Sequence, residues 1–351
     1  MQFAQDAGLF AHQLDLPNDR VLLVAMSEAD YEAASFLDNR LLQPTQAQSQ
    51  IGGSPPQQRQ MQWADWNALE SQSPDIRSDV QFIFHIGHVG STLLARLLGA
   101  ASGTLALREP QLLRQFAELK ELRGQAHSPW SAATFDKRLA RVVQWFSRTF
   151  HPDQRALVKA TSFASDIAPD LLRNRRKALL LTLSPERYLQ TILAGDNSRA
   201  ELAVLSSSRL KRLHNRIGET PFNLWELDEA QRAAMAWACE MTALEQVSEQ
   251  MVSWLDFDTF LAQPAQKLAE TAQFFDIELA PDQANELVSG PLMQQYSKAP
   301  EHSYSPQLRE DVLAEAARTR SGDIKAALAW LEDAGTKHSL IGKALHRTRK
   351  G

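Results

Sequence analysis

From Val80 to Ala101 the chain reads VQFIFHI, then GHVG, then STLLARLLGAA. This stretch narrows the possible folds more than any other. An almost continuous apolar run suits a strand buried on both faces. Glycines at 87 and 90 permit a turn too tight for ordinary side chains. The apolar spacing behind the turn is helical. Strand, tight turn and helix make half of a βαβ unit, and such units build parallel sheets. Further short apolar runs follow at Thr104–Leu107, Ala156–Lys159, Lys177–Leu183 and Val252–Phe257. Helical stretches lie between them, from Pro110, from Ser162 to Leu172, and from Pro185, where proline suits the first turn. The predicted fold class is α/β, a three-layer α/β/α arrangement around a central parallel sheet.

The flanks read differently. Val21–Met26 predicts a strand. The stretch from Ser27 to Leu42 predicts a helix opened by a capping box of Ser27 with Asp30. Residues 43–62 hold eight glutamines, Gly52-Gly53 and Pro55-Pro56, the signature of a surface loop. Trp63 and Trp66 are expected to pack this arm onto the body. Residues 199–250 read as mostly helical, residues 290–306 as a loop, and Ser305–Ala334 as two helices. Lys343, Arg347, Arg349 and Lys350 suggest a basic tail that is disordered or exposed. The expected organisation is an N-terminal segment over 1–78, an α/β domain over 79–340 and a tail over 341–351.

Composition excludes several classes. A chain of 351 residues, 44% apolar, can bury a core without disulfide or metal staples. Cys239 is its single cysteine, which excludes an internal disulfide framework and a cysteine-rich zinc site. A lone thiol favours a reducing compartment. A net charge of −5 argues against a nucleic-acid partner. No run of about 18 apolar residues occurs, so no membrane span is expected. The N-terminus lacks the basic start and apolar run of a secretory signal. The expected setting is cytoplasmic.

The loop Gly87, His88, Val89, Gly90, Ser91, Thr92, with Leu93 behind it, is the strongest chemical signal. A loop between strand and helix aims backbone N–H groups and the helix dipole at an anion. The hydroxyls of Ser91 and Thr92 add donors. The alternative is a plain tight turn with Ser91 as helix N-cap. The loop is not a Walker A motif. His85 stands where that motif has its first glycine, and Ser91 where it has its lysine. That argues against an ordinary ATP or GTP hydrolase or kinase. His85, on the strand, reads as a core histidine. A metal pair of His85 and His88 lacks a third ligand nearby.

HIGHVGSTLLARLL resembles the phosphosulfate-binding loop of sulfotransferases that use 3′-phosphoadenosine 5′-phosphosulfate (PAPS), a P-loop-related family. Other segments resemble that family in the same order. Leu107-Arg108-Glu109-Pro110 is similar to its Glu-Pro element, whose glutamate is the catalytic base. Leu157-Val158-Lys159 is similar to its lysine-bearing strand. Lys177–Leu193 is similar to its 3′-phosphate-binding strand, turn and helix, with Pro185 at its proline and Thr191 at its serine. Trp254–Phe275 resembles its late strand, proline turn and helix. Tyr296-Ser297-Lys298 resembles its late donor-binding loop. The resemblance spans about residues 80–310. It implies PAPS as donor, no metal, catalytic roles for His88, Glu109 and Lys159, and donor contacts from Gly87 to Leu93, Thr191, Ser297 and Lys298.

Two positions depart from the family. His88 replaces the lysine or arginine that bridges the sulfonyl group and the leaving phosphate. A histidine supplies that charge only when protonated. Leu183 replaces the arginine of the 3′-phosphate strand. Arg199, Arg209, Lys211, Arg212 and Arg216 are candidate replacements, or simply a solvated helix face, and Lys298 is a further candidate. Each other candidate also has a plainer reading. His88 can be a solvent-facing loop residue, Glu109 a carboxylate at a helix N-terminus, and Lys159 a surface lysine at a strand end. The leading expectation is sulfuryl transfer to a hydroxyl or amine of a small molecule, glycan or lipid. The rivals are a non-catalytic nucleotide-binding protein and a divergent nucleotide-dependent kinase.

Overall fold

The computed structural model describes residues 3–4, 6–42, 60–72, 76–173, 175–248, 250–295 and 305–349. The chain opens with β1 (Leu9–Asp15), β2 (Arg20–Ala25) and β3 (Met61–Asp65), an antiparallel sheet in that order. Then come β4 (Gln81–His85), β5 (Thr104–Arg108), β6 (Arg155–Lys159), β7 (Ala178–Thr182) and β8 (Val252–Asp256). These five are parallel, in the order β5-β6-β4-β7-β8. Every residue of β4, β5 and β7 is buried, which explains their unbroken apolar texture. At the edge, β8 buries only Leu255. The connection out of β4 runs toward one edge of the sheet and that out of β7 toward the other. Such a reversal opens a crevice at the C-terminal strand ends.

Helices cover both faces. Ser91–Gly99 buries seven of its residues, and Glu229–Leu244 is buried nearly all round from Ala230 to Leu244. The fold is the predicted α/β class, a five-stranded parallel sheet flanked by helices.

The N-terminal segment carries more structure than its sequence advertises. The expected strand is present as β2, but β1 and β3 join it. A register shift between Ala11 and Gln13 breaks the alternation of β1, and β3 is mostly exposed, so neither gives a clean period-two pattern. The capping box of Ser27 and Asp30 forms, yet its helix ends at Ala33, and a 3-10 turn follows at Asn39–Leu42. Trp66 packs as expected, 4.6 Å from Trp145 between ring centroids, while Trp63 stays 43% exposed beside Arg20. Most of the glutamine-rich loop, residues 43–59, lies outside the described residues.

The basic C-terminal stretch is not an exposed tail. Ser339–Thr348 is a helix that buries Ile341, Ala344 and Leu345. Lys343 and Arg347 both pair with the buried carboxylate of Glu245, and Arg347 lies 4.0 Å over Trp254. Apolar residues at helical spacing outweigh the charge count that suggested a solvated end.

His12 on β1 is fully buried, and neither ring nitrogen finds a hydrogen-bond partner among the described residues. Burial lowers its pKa from 6.5 to about 4, against the opposing pull of Asp38. The unfolded chain therefore binds a proton between these values while the folded chain does not. Stability is full above pH 6.5 and falls as pH drops toward 4, by about 3 kcal/mol in all. His12→Phe should flatten that part of the profile. Denaturant titrations of both proteins from pH 7 to pH 4 check this, and parallel profiles would refute it.

Candidate functional site

The loop after β4 is built around backbone in the left-handed region. Gly87 has φ +87°, His88 +54° and Gly90 +66°. A glycine is required at 90, because a Cβ there would lie 2.0 Å from the Phe257 ring. His85 is fixed beneath the loop. Its Nδ1 accepts from the Gly87 N–H at 3.0 Å, so its Nε2 carries the proton and donates to the Ala160 carbonyl at 2.9 Å.

The helix N-cap is Gly90, not Ser91, and no side chain caps the helix. Gly90 O accepts from Leu94 N–H at 3.1 Å. Among the described residues, no acceptor meets the backbone N–H groups of His88, Val89, Gly90, Ser91, Thr92 or Leu93. Thr92 is 2% exposed and its hydroxyl also lacks a partner. Buried polar groups are normally satisfied. Unpaired N–H groups at a helix N-terminus, with the hydroxyl of Thr92 beside them, are able to accept an oxyanion.

His88 does not face solvent freely. Its Nδ1 lies 3.3 Å from Ser198 Oγ and its Nε2 3.5 Å from Glu201 Oε2. Both partners sit on the helix Asp196–Ile217. Glu201 is anchored in turn by Arg209 at 3.2 Å.

Glu109 follows β5 in a left-handed conformation, φ +54°. The Glu109 N–H donates to the Lys159 carbonyl at 2.7 Å, and Lys159 Nζ donates to Glu109 Oε1. Arg40 approaches Glu109 Oε2 at 3.3 Å. Lys159 is fully buried, so the surface-lysine reading fails. Its aliphatic stem lies inside the sheet, and its ammonium is matched by a carboxylate at the strand end. Glu109 precedes the N-cap of the next helix, Pro110, and its carboxylate serves ion pairs rather than the helix end.

Glu109 opens onto a cleft of about 480 Å³ at the C-terminal ends of β5 and β6. Arg40, Glu109, Ser162 and Glu201 line it, with Phe163 and Val204 forming an apolar wall. Ser162 Oγ lies 3.6 Å from where a Gly87 Cβ would stand, so the cleft reaches the loop. The structure thus links His88, Glu109 and Lys159, which are 21 and 50 residues apart in sequence, to one cleft: Glu109 lines it, Lys159 bonds Glu109 from beneath, and His88 contacts the lining residue Glu201. Arg40, Ser198 and Glu201 are the members that sequence reasoning missed. They sit in a short turn and on a helix surface, with no motif around them.

The remaining predicted residues fall elsewhere. Thr191 Oγ1 donates to the Arg187 carbonyl at 2.8 Å within the helix Pro185–Ala194. Leu183 is fully buried, and its carbonyl accepts from Trp237 Nε1 at 3.0 Å. Ser297 and Lys298 lie outside the described residues. Arg209, Arg212 and Arg216 are not a solvated face. Their i, i+3, i+7 spacing makes one stripe turned inward, where Arg209 meets Glu240 at 3.1 Å and Arg212 and Arg216 both bond Asp166. Burial alone would raise the Asp166 pKa, but these two arginines hold it below the ordinary range. Arg199 pairs with Glu229 and Lys211 with Glu121. No group of three or more potential metal ligands occurs among the described residues. No helix there is long and apolar enough to cross a membrane.

Fold and site together define a parallel α/β protein with a glycine loop at a helix N-terminus and a carboxylate–ammonium pair whose ammonium is buried and whose carboxylate lines a cleft. No protein-family model matches the chain, and no curated protein does. Solved structures that resemble it are sulfotransferases. One is the sulfotransferase domain from the curacin biosynthetic pathway, 14% identical, covering 72% of this chain and 96% of that one, with TM-score 0.37. Another is the sulfotransferase domain of the olefin synthase of Synechococcus PCC 7002, 13% identical, covering 69% and 94%, with TM-score 0.37. A mouse sulfotransferase complexed with PAP is 11% identical, covering 73% and 90%, with TM-score 0.33.

Proposed function

We propose that the chain is a sulfotransferase-type enzyme that moves a sulfuryl group from PAPS to a hydroxyl or amine. The observation that carries this reading is the glycine loop whose N–H groups from His88 to Leu93 meet no acceptor among the described residues, joined through Ser162 and Glu201 to the cleft that Glu109 lines. The loop suits a phosphate-type oxyanion, and the missing Walker lysine disfavours a nucleotide kinase. Ser91 and Thr92 would add hydroxyl donors to the same anion. In the transfer, an acceptor lone pair forms a bond to sulfur, the bond from sulfur to the bridging phosphate oxygen breaks, and that oxygen keeps the electron pair. The acceptor proton goes to Glu109 Oε2, on the side of Arg40. Lys159 holds Glu109 by Oε1 and fixes its direction. The acceptor is a small molecule, glycan or lipid, and the single buried thiol, Cys239, fits a reducing, cytoplasmic setting.

A second reading, a nucleotide-binding protein without turnover, draws on two observations. Position 183, just past β7, carries a buried leucine rather than a cation, and both oxygens of Glu109 are engaged. Thermal shift with PAPS, 3′-phosphoadenosine 5′-phosphate (PAP) and ATP with magnesium tests the reading. A ligand at 100 times its Kd stabilises the folded state by about 2.7 kcal/mol. PAPS and PAP should raise the melting midpoint more than ATP does. An equal or larger shift with ATP and magnesium would overturn the reading. PAP binding without transfer to any acceptor would favour the second one.

A further inference from the structure

The N-terminal segment reaches into the cleft. Arg108, 3% exposed at the end of β5, bonds the carbonyls of Tyr31, Glu32 and Ala34. Leu37 N–H donates to Arg108 O at 2.6 Å, and Gln111 N–H donates to Leu37 O at 3.1 Å. Residues 31–37 are thereby stapled across the junction that holds Glu109. Beyond the staple the chain turns, and Arg40 comes to line the cleft.

Arg40 is oriented from three sides. Asp38 accepts its Nε at 2.9 and 3.0 Å and its backbone N–H at 2.9 Å. The Phe36 ring lies 3.2 Å from the guanidinium carbon. Glu109 Oε2 takes one terminal nitrogen at 3.3 Å. The side chain remains 49% exposed and lines the cleft. Glu201, which touches His88, lines the same cleft. In the loop from Gly87 to Thr92, His88 is the only side chain able to carry positive charge. Arg40 carries charge at every working pH; Asp38 and Glu109 engage its Nε and one terminal nitrogen, and its other terminal nitrogen meets no partner among the described residues.

We infer that Arg40 forms a sulfuryl-oxygen subsite, supplying from the N-terminal segment the permanent cation that the loop lacks at His88. The inference rests on the sulfotransferase reading above. It assigns Arg40 to the one group that distinguishes PAPS from PAP, so the two ligands separate its role from general nucleotide binding.

Calorimetry of PAPS and PAP binding to wild type, Arg40→Ala and Arg40→Lys tests it. Arg40→Ala should weaken PAPS about tenfold and leave PAP within twofold, since a charge-assisted contact is lost only with the sulfuryl group present. Arg40→Lys should recover part of the difference, keeping charge without the planar guanidinium. Unchanged PAP affinity certifies the folded variant. Equal losses for both ligands, no loss for either, or a variant too unstable to bind PAP would overturn the subsite and leave Arg40 a structural contact of Asp38 and Glu109. Wild type that binds neither ligand would instead overturn the sulfotransferase reading itself.

Discussion

Glu109→Gln is expected to lose transfer while keeping PAP affinity. Glutamine preserves length and volume but cannot take a proton at neutral pH. General-base catalysis typically supplies about 10²–10⁴ in rate, and the loss should fall in that range. Its amide would also meet two donors, Lys159 Nζ and Arg40, with only one acceptor oxygen. Lys159 is fully buried, so losing its counter-charge costs stability as well. The melting midpoint of Glu109→Gln should drop, and Lys159→Met in the same chain should recover part of it, because the two residues form one unit. Single-turnover formation of PAP from PAPS in the presence of acceptor, with calorimetry of PAP in parallel, gives both readouts. Near-normal turnover would remove Glu109 from the chemistry and leave it as the counter-ion of Lys159. The backbone supports a role beyond that. A glutamate at φ +54° carries strain of about 1 kcal/mol or more, and such residues persist where surroundings hold them in place.

What could be read from the sequence follows from local physics. β4, β5, β6 and β7 are short, apolar and buried on both faces, so each announces itself without tertiary information. The glycines and hydroxyls after β4 mark the loop, since only glycine fits at 90. Lys159 and Glu109 were legible as chemistry but not as a pair. Fifty residues separate them, and only the adjacency of β5 and β6 brings them together. Arg40 was illegible for a related reason. Its meaning depends on residues 31–37 crossing the end of β5, and that crossing is set by the buried Arg108 and by backbone bonds. The arginine stripe at 209, 212 and 216 misled because charge in a helix usually means solvent. Here the compensating acids, Asp166 and Glu240, come from distant positions.

Gly90→Ala should disrupt the loop far more than Gly87→Ala, although both glycines have positive φ. At Gly87 the nearest atom to an added methyl is Ser162 Oγ at 3.6 Å, an ordinary contact. That change costs only the left-handed backbone, about 1 kcal/mol. At Gly90 the methyl would stand 2.0 Å from Phe257 Cε2 and 2.1 Å from its Cζ. Phe257 is 4% exposed, stacked on Phe260 at 6.0 Å and covered by Arg309 at 5.3 Å, so it cannot step aside cheaply. Overpacking of this kind adds about 1–3 kcal/mol to the backbone cost. The total, about 2–4 kcal/mol, should appear as a lowered denaturation midpoint together with lost PAP binding, because relieving the clash moves the N–H row. Phe257→Ala alone should also destabilise, by leaving a cavity. In the double variant Gly90→Ala with Phe257→Ala the clash is absent, so the combined cost should fall short of the sum of the single ones by more than 1 kcal/mol. Additive costs would mean that Phe257 does not set the loop's shape. Gly90 then has an aromatic wall at its back while Gly87 faces Ser162 of the cleft.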